Sequence, residues 1–356
     1  MFITIGDCMI NYIKKVVSGD NLSEEESFEC MEKIISGEFS DLHIGAFLTA
    51  FATKGETTEE ITGFARAMRQ ACVPINISAD LNLVDTCGTG GDALKTFNVS
   101  TAASIIASSA GVNVAKHGNR AVTSSCGGAD ILEYAGVKID NDPKMVVRCL
   151  KEIGIGFMFA PNFHRAIHNV MSVRQVLGIR TVFNILGPLT SPVGAKIQLL
   201  GVFDPKYVNI MAKVLMNLGV ERAMVVHGFD EEGNPGMDEI SNVGTTLVAF
   251  VEKGNIKIAR LNPEDFGIKK TKSEFIKSPD TIEESFDILM KVLNGKNESN
   301  LEKARLDIAL ANAGAIIYLA GKSNTISQGT KIAYNAIKSG KSQEKLNEFI
   351  EISNMI

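Results

Sequence analysis

A glycine-rich turn between a short apolar segment and an alanine-rich segment constrains this chain more than any other feature. Residues 84–92 read VDTCGTGGD, and Leu81, Leu83 and Val84 predict a buried strand that leads into the turn. Ser100 and Thr101 then begin a predicted helix. Glycine lets a backbone approach a ligand closely, and a helix start capped by Ser or Thr presents free N–H groups to an anion, usually phosphate. Two such devices in close succession predict a phosphate site.

Length, charge and cysteine usage narrow the class of protein. The 356 residues exceed one comfortable core, so two structural units are expected. The net charge of −5 argues against a broad nucleic-acid surface, and no apolar run approaches the length of a membrane span. Asp7 stands where a signal peptide would carry a basic leader, so no such peptide is predicted. The cysteines are scattered without a CxxC pair, which argues against a disulfide framework or zinc cage and favours a reducing cytoplasm: Cys8, Cys30, Cys72, Cys87, Cys126 and Cys149.

The pattern of apolar residues predicts a small helical domain followed by a larger α/β domain. Residues 1–73 carry apolar residues at helical spacing and two capping-box patterns, which begin at Ser23 and Thr57. Residues 74–356 begin with short apolar strands that alternate with helices, which predicts a mostly parallel central sheet. Ligands bind beyond the carboxyl ends of the strands in such sheets, and the polar motifs of this chain follow the predicted strands.

A basic segment and an acidic pair are the main candidates for binding a phosphorylated ligand. Residues 116–120 read KHGNR after a predicted strand at 112–115, and two cations with an amide suit a ligand with several anionic groups. A solvated basic loop is the alternative, although the small residues of 121–128 are suited to wrap a second phosphate. Asp238 and Glu239 offer hard oxygen ligands to Mg²⁺. Residue types alone do not separate this pair from the acidic turn at 230–232.

Three further features have weaker implications. His164 and His168 have the spacing of two metal ligands on one helix face, but Arg165 stands where the zinc-protease pattern needs Glu, so no metal role is expected. Arg174 is suited equally to a substrate carboxylate or to a neighbouring acid. Two prolines in the segment 187–192, which reads GPLTSP, predict a rigid connection and a candidate hinge between the two units.

These motifs together resemble the signatures of the anthranilate phosphoribosyltransferase family. The matching stretches are GTGGD at 88–92, NVST at 98–101, KHGNR at 116–120, GIRTVFNILGPLT at 178–190 and DE at 238–239. They follow the family order through nearly the whole chain. The resemblance implies a helical domain at 1–73 with a helical excursion near 165–185, packed on an α/β domain at 74–356. It also implies a homodimer formed through the helical domain.

The reaction implied by this resemblance joins anthranilate to 5-phosphoribosyl 1-diphosphate (PRPP) and releases diphosphate, in tryptophan biosynthesis. Ser100, Asp238 and Glu239 are then expected to bind Mg²⁺, with two ions per active site. Gly88, Asn119 and Arg174 are expected to contact anthranilate. The residues expected to hold PRPP are Gly88, Gly91, Asp92, Thr96, Asn98, Val99, Ser100, Thr101, Lys116, His117, Gly118, Asn119, Arg120, Ala121, Val122, Thr123, Ser124 and Gly128.

The chain departs from the common family pattern at Arg165, Ser125 and Gly128, where proline, lysine and serine are frequent. These departures concern the anthranilate entrance and one phosphate contact. We expect no dedicated general base, since an aniline nitrogen attacks without prior deprotonation and becomes acidic once it is bonded to carbon. His117 is the candidate base by residue type alone.

Two other functions are compatible with parts of the sequence. A pyrimidine nucleoside phosphorylase has a similar fold and acts on the anomeric carbon of ribose with phosphate. A non-catalytic paralogue would bind PRPP or nucleic acid as a sensor, and would be expected to lose metal or acceptor residues. The acidic pair at 238–239 and the KHGNR segment favour PRPP chemistry.

Overall fold

The computed structural model describes residues 5–77, 81–121, 126–164 and 167–355. The chain begins with a bundle of four helices, in which both predicted capping boxes are confirmed at Ser23 and Thr57. Phe47, Phe51 and Phe64 form an aromatic cluster inside this bundle, with ring centroids 4.7–6.0 Å apart. The helices are α1 (Ile5–Val17), α2 (Glu24–Ile35), α3 (Asp41–Lys54) and α4 (Thr58–Ala71).

An eight-stranded sheet forms the centre of the rest of the chain. Its strands are β1 (Val84–Gly88), β2 (Val114–Gly118), β3 (Ile155–Phe159), β4 (Ile197–Gly201), β5 (Arg222–Phe229), β6 (Pro235–Met237), β7 (Thr246–Glu252) and β8 (Asn255–Leu261). The order is β3-β2-β1-β4-β5-β7-β8, and β6 pairs with β5. The first five strands in this order are parallel, and β7 pairs antiparallel with both β5 and β8.

Eleven further helices surround the sheet within the described residues. They are α5 (Val99–Ser109), α6 (Gly128–Tyr134), α7 (Pro143–Glu152), α8 (Ala160–Phe163), α9 (His168–Leu177), α10 (Phe183–Leu186), α11 (Tyr207–Asn217), α12 (Ile282–Leu293), α13 (Asn300–Leu319), α14 (Ile326–Lys338) and α15 (Lys341–Ser353). A capping box begins α13 at Ser299. Asn312 of α13 is buried and bonds to the backbone of Ile240, so α13 supports the turn that follows β6.

The two sides of the sheet contribute to different hydrophobic cores. One core joins the sheet to α5 and to the C-terminal helices. The other joins the sheet and α11 to the helices of the N-terminal bundle and to α9. Asn169 of α9 donates a hydrogen bond to the Ile35 carbonyl at 2.8 Å, so the segment between β3 and β4 crosses onto the helical bundle. The predicted fold, a helical unit packed on a larger α/β unit with a mostly parallel sheet, is confirmed.

None of the helices in the described part of the chain combines the length and apolar character that a membrane crossing requires.

Candidate active site

Asp238 lies across the carboxyl ends of β1 and β4. Gly88 and Gly201 are register partners at those strand ends. A Cβ on Gly88 would collide with the Asp238 carboxylate, and one on Gly201 would overlap its carbonyl. The carboxylate oxygen Oδ2 accepts a hydrogen bond from the Gly90 N–H at 2.8 Å. Glycine is therefore required here by close approach, and it seats the acidic pair against the glycine-rich turn.

Three acidic side chains lie near this turn, close enough for their charges to raise the pKa of one another's carboxyl groups. Burial and the nearby Asp238 carboxylate raise the pKa of Asp92 to about 7. Burial also raises the pKa of Asp238 itself, in spite of the bond from Gly90. Burial and Asp238 hold the pKa of Glu239 well above its usual range, although Lys116 and the Ser100 N–H lower it. A cluster of carboxylate oxygens that repel one another in this way fits a hard cation such as Mg²⁺.

The acidic turn at 230–232 has a different role. The Asp230 carboxylate accepts hydrogen bonds from the backbone N–H groups of Glu232 at 3.0 Å and Asn234 at 2.7 Å. Asp230 thus closes its own exposed turn, as an ordinary turn aspartate does. The structure separates the two acidic clusters that residue types left unresolved.

Helix α5 points its first turn at the acidic cluster. It begins at Val99 with Asn98 as N-cap, so the prediction that Ser100 and Thr101 cap it was wrong by two residues. The Asn98 side chain makes no capping bond, because its Nδ2 donates to the Cys126 carbonyl at 3.0 Å instead. The N-cap residue therefore does not cap α5, and the Ser100 N–H is directed to the Glu239 carboxylate. Uncapped N–H groups at a helix start are suited to an anion.

Lys116 is the cation nearest to this cluster that the structure buries. The predicted strand at 112–115 is displaced, since β2 runs to Gly118 and includes Lys116 and His117. Lys116 is 4% exposed, and its Nζ donates to Ser100 Oγ at 3.1 Å and to the Thr86 carbonyl at 3.3 Å. Burial lowers its pKa, while acidic neighbours including Glu239 oppose that effect. The ammonium therefore lies between the glycine turn and the start of α5.

The rest of the KHGNR segment divides between the interior and the surface. Both ring nitrogens of His117 are bonded within the protein, to Asp85 and to the Gly187 carbonyl. Asn119 is exposed, and its side-chain oxygen accepts a hydrogen bond from the Arg120 N–H. The Arg120 guanidinium pairs with Glu133 at 2.6 Å and Asp130 at 3.0 Å in this structure.

The small residues that follow are described only at their two ends. The Ala121 N–H donates to Asp130, and Gly128 begins α6. A Cβ on Gly128 would lie 3.3 Å from Thr101 Oγ1, so this glycine permits a close contact between α6 and α5. The predicted PRPP residues Val122, Thr123 and Ser124, and the departures Ser125 and Arg165, lie outside the described residues.

Arg174 of α9 is partly buried beside an aromatic ring. Its guanidinium lies over the Phe183 ring, 5.4 Å from the centroid, and contacts Met171 Sδ at 3.7 Å. Burial lowers its pKa, and no acidic group among the described residues opposes that effect. The structure shows no acidic partner for Arg174 among the described residues, and its contact with anthranilate stays a prediction.

The two histidines at 164 and 168 do not share a helix. His164 follows the end of α8, is 7% exposed and contacts Thr190 Oγ1 at 3.3 Å. Burial and the nearby His117 lower the pKa of His164 to about 4. His168 is exposed at the start of α9. The helical spacing that suggested two ligands on one face is therefore not formed.

Sequence reasoning missed three residues that shape this site. Asp85 is a fully buried acid within β1, and its charge inside an apolar strand was the available signal. Gly201 ends β4 after an apolar run, as Gly88 ends β1. Arg180 donates to the Gly91 carbonyl and lies 4.2 Å from the centroid of Phe203. No pattern in the sequence connects Arg180 to the glycine turn.

The fold and the site define a glycosyltransferase of two domains. Residues 10–72 match the family model described as "Glycosyl transferase family, helical bundle domain". Residues 80–343 match the family model described as "Glycosyl transferase family, a/b domain". The anthranilate phosphoribosyltransferase of Methanothermobacter thermautotrophicus is 55% identical over 338 residues, which cover 95% of this chain and 96% of that protein. The Petrotoga mobilis enzyme is 45% identical over 345 residues, which cover 97% of each. This chain belongs to the anthranilate phosphoribosyltransferase family.

Solved structures agree with this assignment. The anthranilate phosphoribosyltransferase of Thermus thermophilus has a TM-score of 0.87 at 39% identity and covers 97% of this chain and 99% of its own. The Saccharomyces cerevisiae enzyme in complex with PRPP and Mg has a TM-score of 0.86 at 28% identity, with 98% of each chain covered. The yeast enzyme has also been solved with 4-fluoroanthranilate, at 26% identity, a TM-score of 0.86 and 99% of each chain covered.

Proposed function

We propose that this chain transfers the 5-phosphoribosyl group of PRPP to the amine of anthranilate, with release of diphosphate, in tryptophan biosynthesis. The observation that carries the proposal is the position of Asp238 and Glu239, which lie against the glycine turn and the start of α5. The family membership and the yeast relative in complex with PRPP and Mg support it.

Mg²⁺ fits the donor set at the carboxyl end of the sheet. Ser100, Asp238 and Glu239 would hold it, and the resemblance implies two ions. When bound, Mg²⁺ supplies positive charge that stabilises the departing diphosphate. The repulsion among the buried acids of this cluster is the structural reason to expect a cation there.

Two of the residues predicted for PRPP, Ser100 and Lys116, bond to each other beside the proposed metal site. The Gly91 N–H of the glycine turn and the Thr101 N–H in the first turn of α5 would donate to the phosphate oxygens of PRPP, because the N–H groups of Gly90 and Ser100 already donate to Asp238 and Glu239. Lys116, fixed on Ser100 Oγ, would add a buried positive charge. Donors that are already in place stabilise charge on a leaving group without reorganisation during the reaction.

Asn119, Arg174 and the backbone at Gly88 would hold anthranilate on the opposite side of the ribose. Arg174 would bind the carboxylate, and Asn119 would orient the amine. Correct placement of the amine behind the anomeric carbon makes the attack effectively intramolecular. No dedicated base is required, and His117 has neither ring nitrogen available for that role in this structure.

We also infer that the chain forms a homodimer through its helical unit, taken as residues 1–73 with the excursion near 165–185. An apolar groove of about 970 Å³ runs between α1, α3 and α9. Val17, Leu42 and Val176 line it, with 70%, 82% and 88% of their surfaces exposed. A second copy is the occupant that the family resemblance implies. We also propose that the protein is located in a reducing cytoplasm, as the scattered cysteines suggest.

The test follows the loss of anthranilate fluorescence with PRPP and Mg²⁺ present, and then with each omitted in turn. The proposal predicts consumption of anthranilate only when both are present. Consumption of a pyrimidine nucleoside with phosphate would support a phosphorylase instead. PRPP binding without any turnover would support a non-catalytic paralogue.

A further inference from the structure

A buried acid and a buried histidine form a hydrogen-bonded pair beneath the active site. Asp85 of β1 is fully buried, and its Oδ2 lies 2.8 Å from Nδ1 of His117 on β2. His117 is 5% exposed, and its Nε2 lies 2.9 Å from the Gly187 carbonyl oxygen. The imidazole thus lies between two oxygen atoms that belong to different segments of the chain.

The chemistry of these two oxygens fixes the number of protons in the pair. A carbonyl oxygen can only accept, so His117 Nε2 must carry a proton and donate it to Gly187. An ionised carboxylate also only accepts, so the short contact with Asp85 requires a proton on Nδ1. In a neutral imidazole one ring nitrogen has no proton, so its lone pair would face an acceptor oxygen and repel it. With an acceptor oxygen facing each ring nitrogen, the geometry favours the doubly protonated imidazole.

The charged groups around the pair are consistent with this state. Burial is the largest influence on the pKa of His117 and lowers it, but the charge and hydrogen bond of Asp85, together with the hydrogen bond to the Gly187 carbonyl, outweigh burial and raise it overall. Lys116, the neighbour on β2, acts in the opposite direction to Asp85. His164 faces His117 from beyond α8 with a lowered pKa, so it adds no second charge at neutral pH.

Two groups face Asp85 from other positions. Arg69 of α4 is close enough for Asp85 to raise its pKa against the effect of burial. Burial and Asp85 together raise the pKa of the Cys87 thiol well above its usual range, so Cys87 stays protonated. Asp85 Oδ1 has no hydrogen-bond partner among the described residues.

Asp85, Cys87 and His117 could also be considered as a metal site, because one ligand atom of each lies within 4.8 Å of the others. The hydrogen bonds argue against it. The protonated Cys87 thiol contacts the Pro188 carbonyl, and both imidazole nitrogens are engaged. A metal would need a thiolate and a free ring nitrogen.

The Gly187 carbonyl connects this pair to the segment at 187–190. Thr190 Oγ1 also donates to it at 2.8 Å, and Arg69 Nε donates to the Leu189 carbonyl at 2.6 Å. The segment at 187–190 follows α9 and α10, which carry Arg174 and Phe183. His117 therefore connects the strand that leads to Asn119 with the segment that leads back to Arg174.

We propose that Asp85 is a positioning residue that keeps His117 doubly protonated, so that the imidazolium fixes the Gly187 segment against β2 and holds Asn119 and Arg174 in register for the acceptor. The kinetic consequence rests on the proposed function. The charge state of His117 does not, and it can be measured in the protein without substrates.

The test compares the wild type with Asp85→Asn and with Asp140→Asn, a matched change at an exposed aspartate. The ¹⁵N NMR spectrum of histidine-labelled protein gives the charge state, and a His117→Gln spectrum assigns the resonances. We expect both nitrogens of His117 to carry protons at pH 7 in the wild type and in Asp140→Asn. In Asp85→Asn only the bond to the Gly187 carbonyl still opposes burial, so the pKa of His117 falls and one nitrogen loses its proton.

Kinetics provide the second readout. We expect Asp85→Asn to raise the KM for anthranilate about tenfold while the KM for PRPP changes little. In the wild type the anthranilate KM should rise at alkaline pH, as His117 loses its proton through a raised pKa. In Asp85→Asn that rise should already be complete at neutral pH. Asp85→Glu, which restores the charge, should recover part of the loss.

Three results would overturn the proposal. The first is a bare ring nitrogen on His117 in the wild type at pH 7, which requires no variant to fold. The second is an Asp85→Asn protein with an unchanged histidine spectrum and unchanged anthranilate KM. The third is a tightly held metal ion in the dialysed wild type that is lost in Cys87→Ser. If the wild type contains charged His117 but does not consume anthranilate, the result contradicts the proposed function and leaves the charge state of His117 intact.

Discussion

The carboxylate of Asp238 accepts a hydrogen bond from the backbone N–H of Gly90 at 2.8 Å, across 148 residues of sequence. This bond joins the turn after β6 to the turn after β1. It places the acidic pair beside backbone N–H groups, which by themselves would favour only an anion. One edge of the sheet thus presents both ligands for a cation and donors for phosphate oxygens, which is what a magnesium–diphosphate group requires.

Gly201→Ala should disable the site without touching any predicted ligand. Its Cβ would overlap the Asp238 carbonyl, so the acidic turn must move. We expect about a hundredfold loss of kcat/KM, which is typical of a displacement of about 1 Å in an active site. Gly254→Ala is the control, because alanine at φ +75° strains the exposed turn between β7 and β8 without meeting another group. If both variants lose activity equally, and the loss follows the fall in their melting temperatures, the effect of Gly201→Ala is not local.

Arg174→Ala should mainly weaken anthranilate binding. The guanidinium over Phe183 has no acidic partner among the described residues, so its removal should cost binding that ground state and transition state share. Steady-state kinetics should show an anthranilate KM about tenfold or more higher and a similar kcat. Arg148→Ala, which breaks an exposed pair with Glu152, is the matched control. An unchanged anthranilate KM would reject the assignment.

Charges in the apolar groove should separate the proposed dimer. A lysine in place of Leu42 or Val176 would be desolvated on association, which opposes the interface. Analytical ultracentrifugation should give the wild type a mass twice the 38.3 kDa of one chain, and each variant the mass of one chain. Ile258→Lys, at an exposed position of β8, should leave the dimer intact. A wild type that sediments as a monomer at micromolar concentration would contradict the proposal.

Asp307→Asn should stabilise the protein at neutral pH. Burial raises the pKa of Asp307 from 3.8 to about 6 in spite of Lys303 and Lys269. The folded state therefore binds this proton more tightly than the unfolded state, so stability falls as pH rises from about 4 to about 6. Because Asp307 is only half-buried, we expect a gain of about 1 kcal/mol in the variant above pH 6. The gain should vanish below pH 4, and a less stable variant at pH 8 would contradict the account.

Strong local patterns made much of the fold predictable. The capping boxes at Ser23, Thr57 and Ser299 fix helix starts by bonds within four residues, and the short apolar runs became strands of the sheet. Boundaries were less predictable. Helix α5 begins at Val99 because Asn98 bonds to the distant Cys126 carbonyl, and β2 extends through Lys116 and His117 because β3 pairs with it along that length.

The contacts within the site could not be predicted, because they depend on how separate segments align. From residue types alone, the acids at 230–232 and at 238–239 were equally good candidates for metal ligands. Only the close approach at Gly88 and Gly201 distinguishes them. The bond between Asp85 and His117 requires two adjacent parallel strands in one particular register. Arg120 had two oppositely charged neighbours in α6 that only the fold brings within reach.

The most direct measurement of the central claim is the magnesium dependence of PRPP binding by Asp238→Asn and Glu239→Gln. Isothermal titration should show that Mg²⁺ strengthens PRPP binding in the wild type and in Glu232→Gln, which changes only an exposed acid of the neighbouring turn. In the two site variants this gain should be lost, and kcat should fall by about a hundredfold or more. Retention of the full magnesium effect in both site variants would contradict the account.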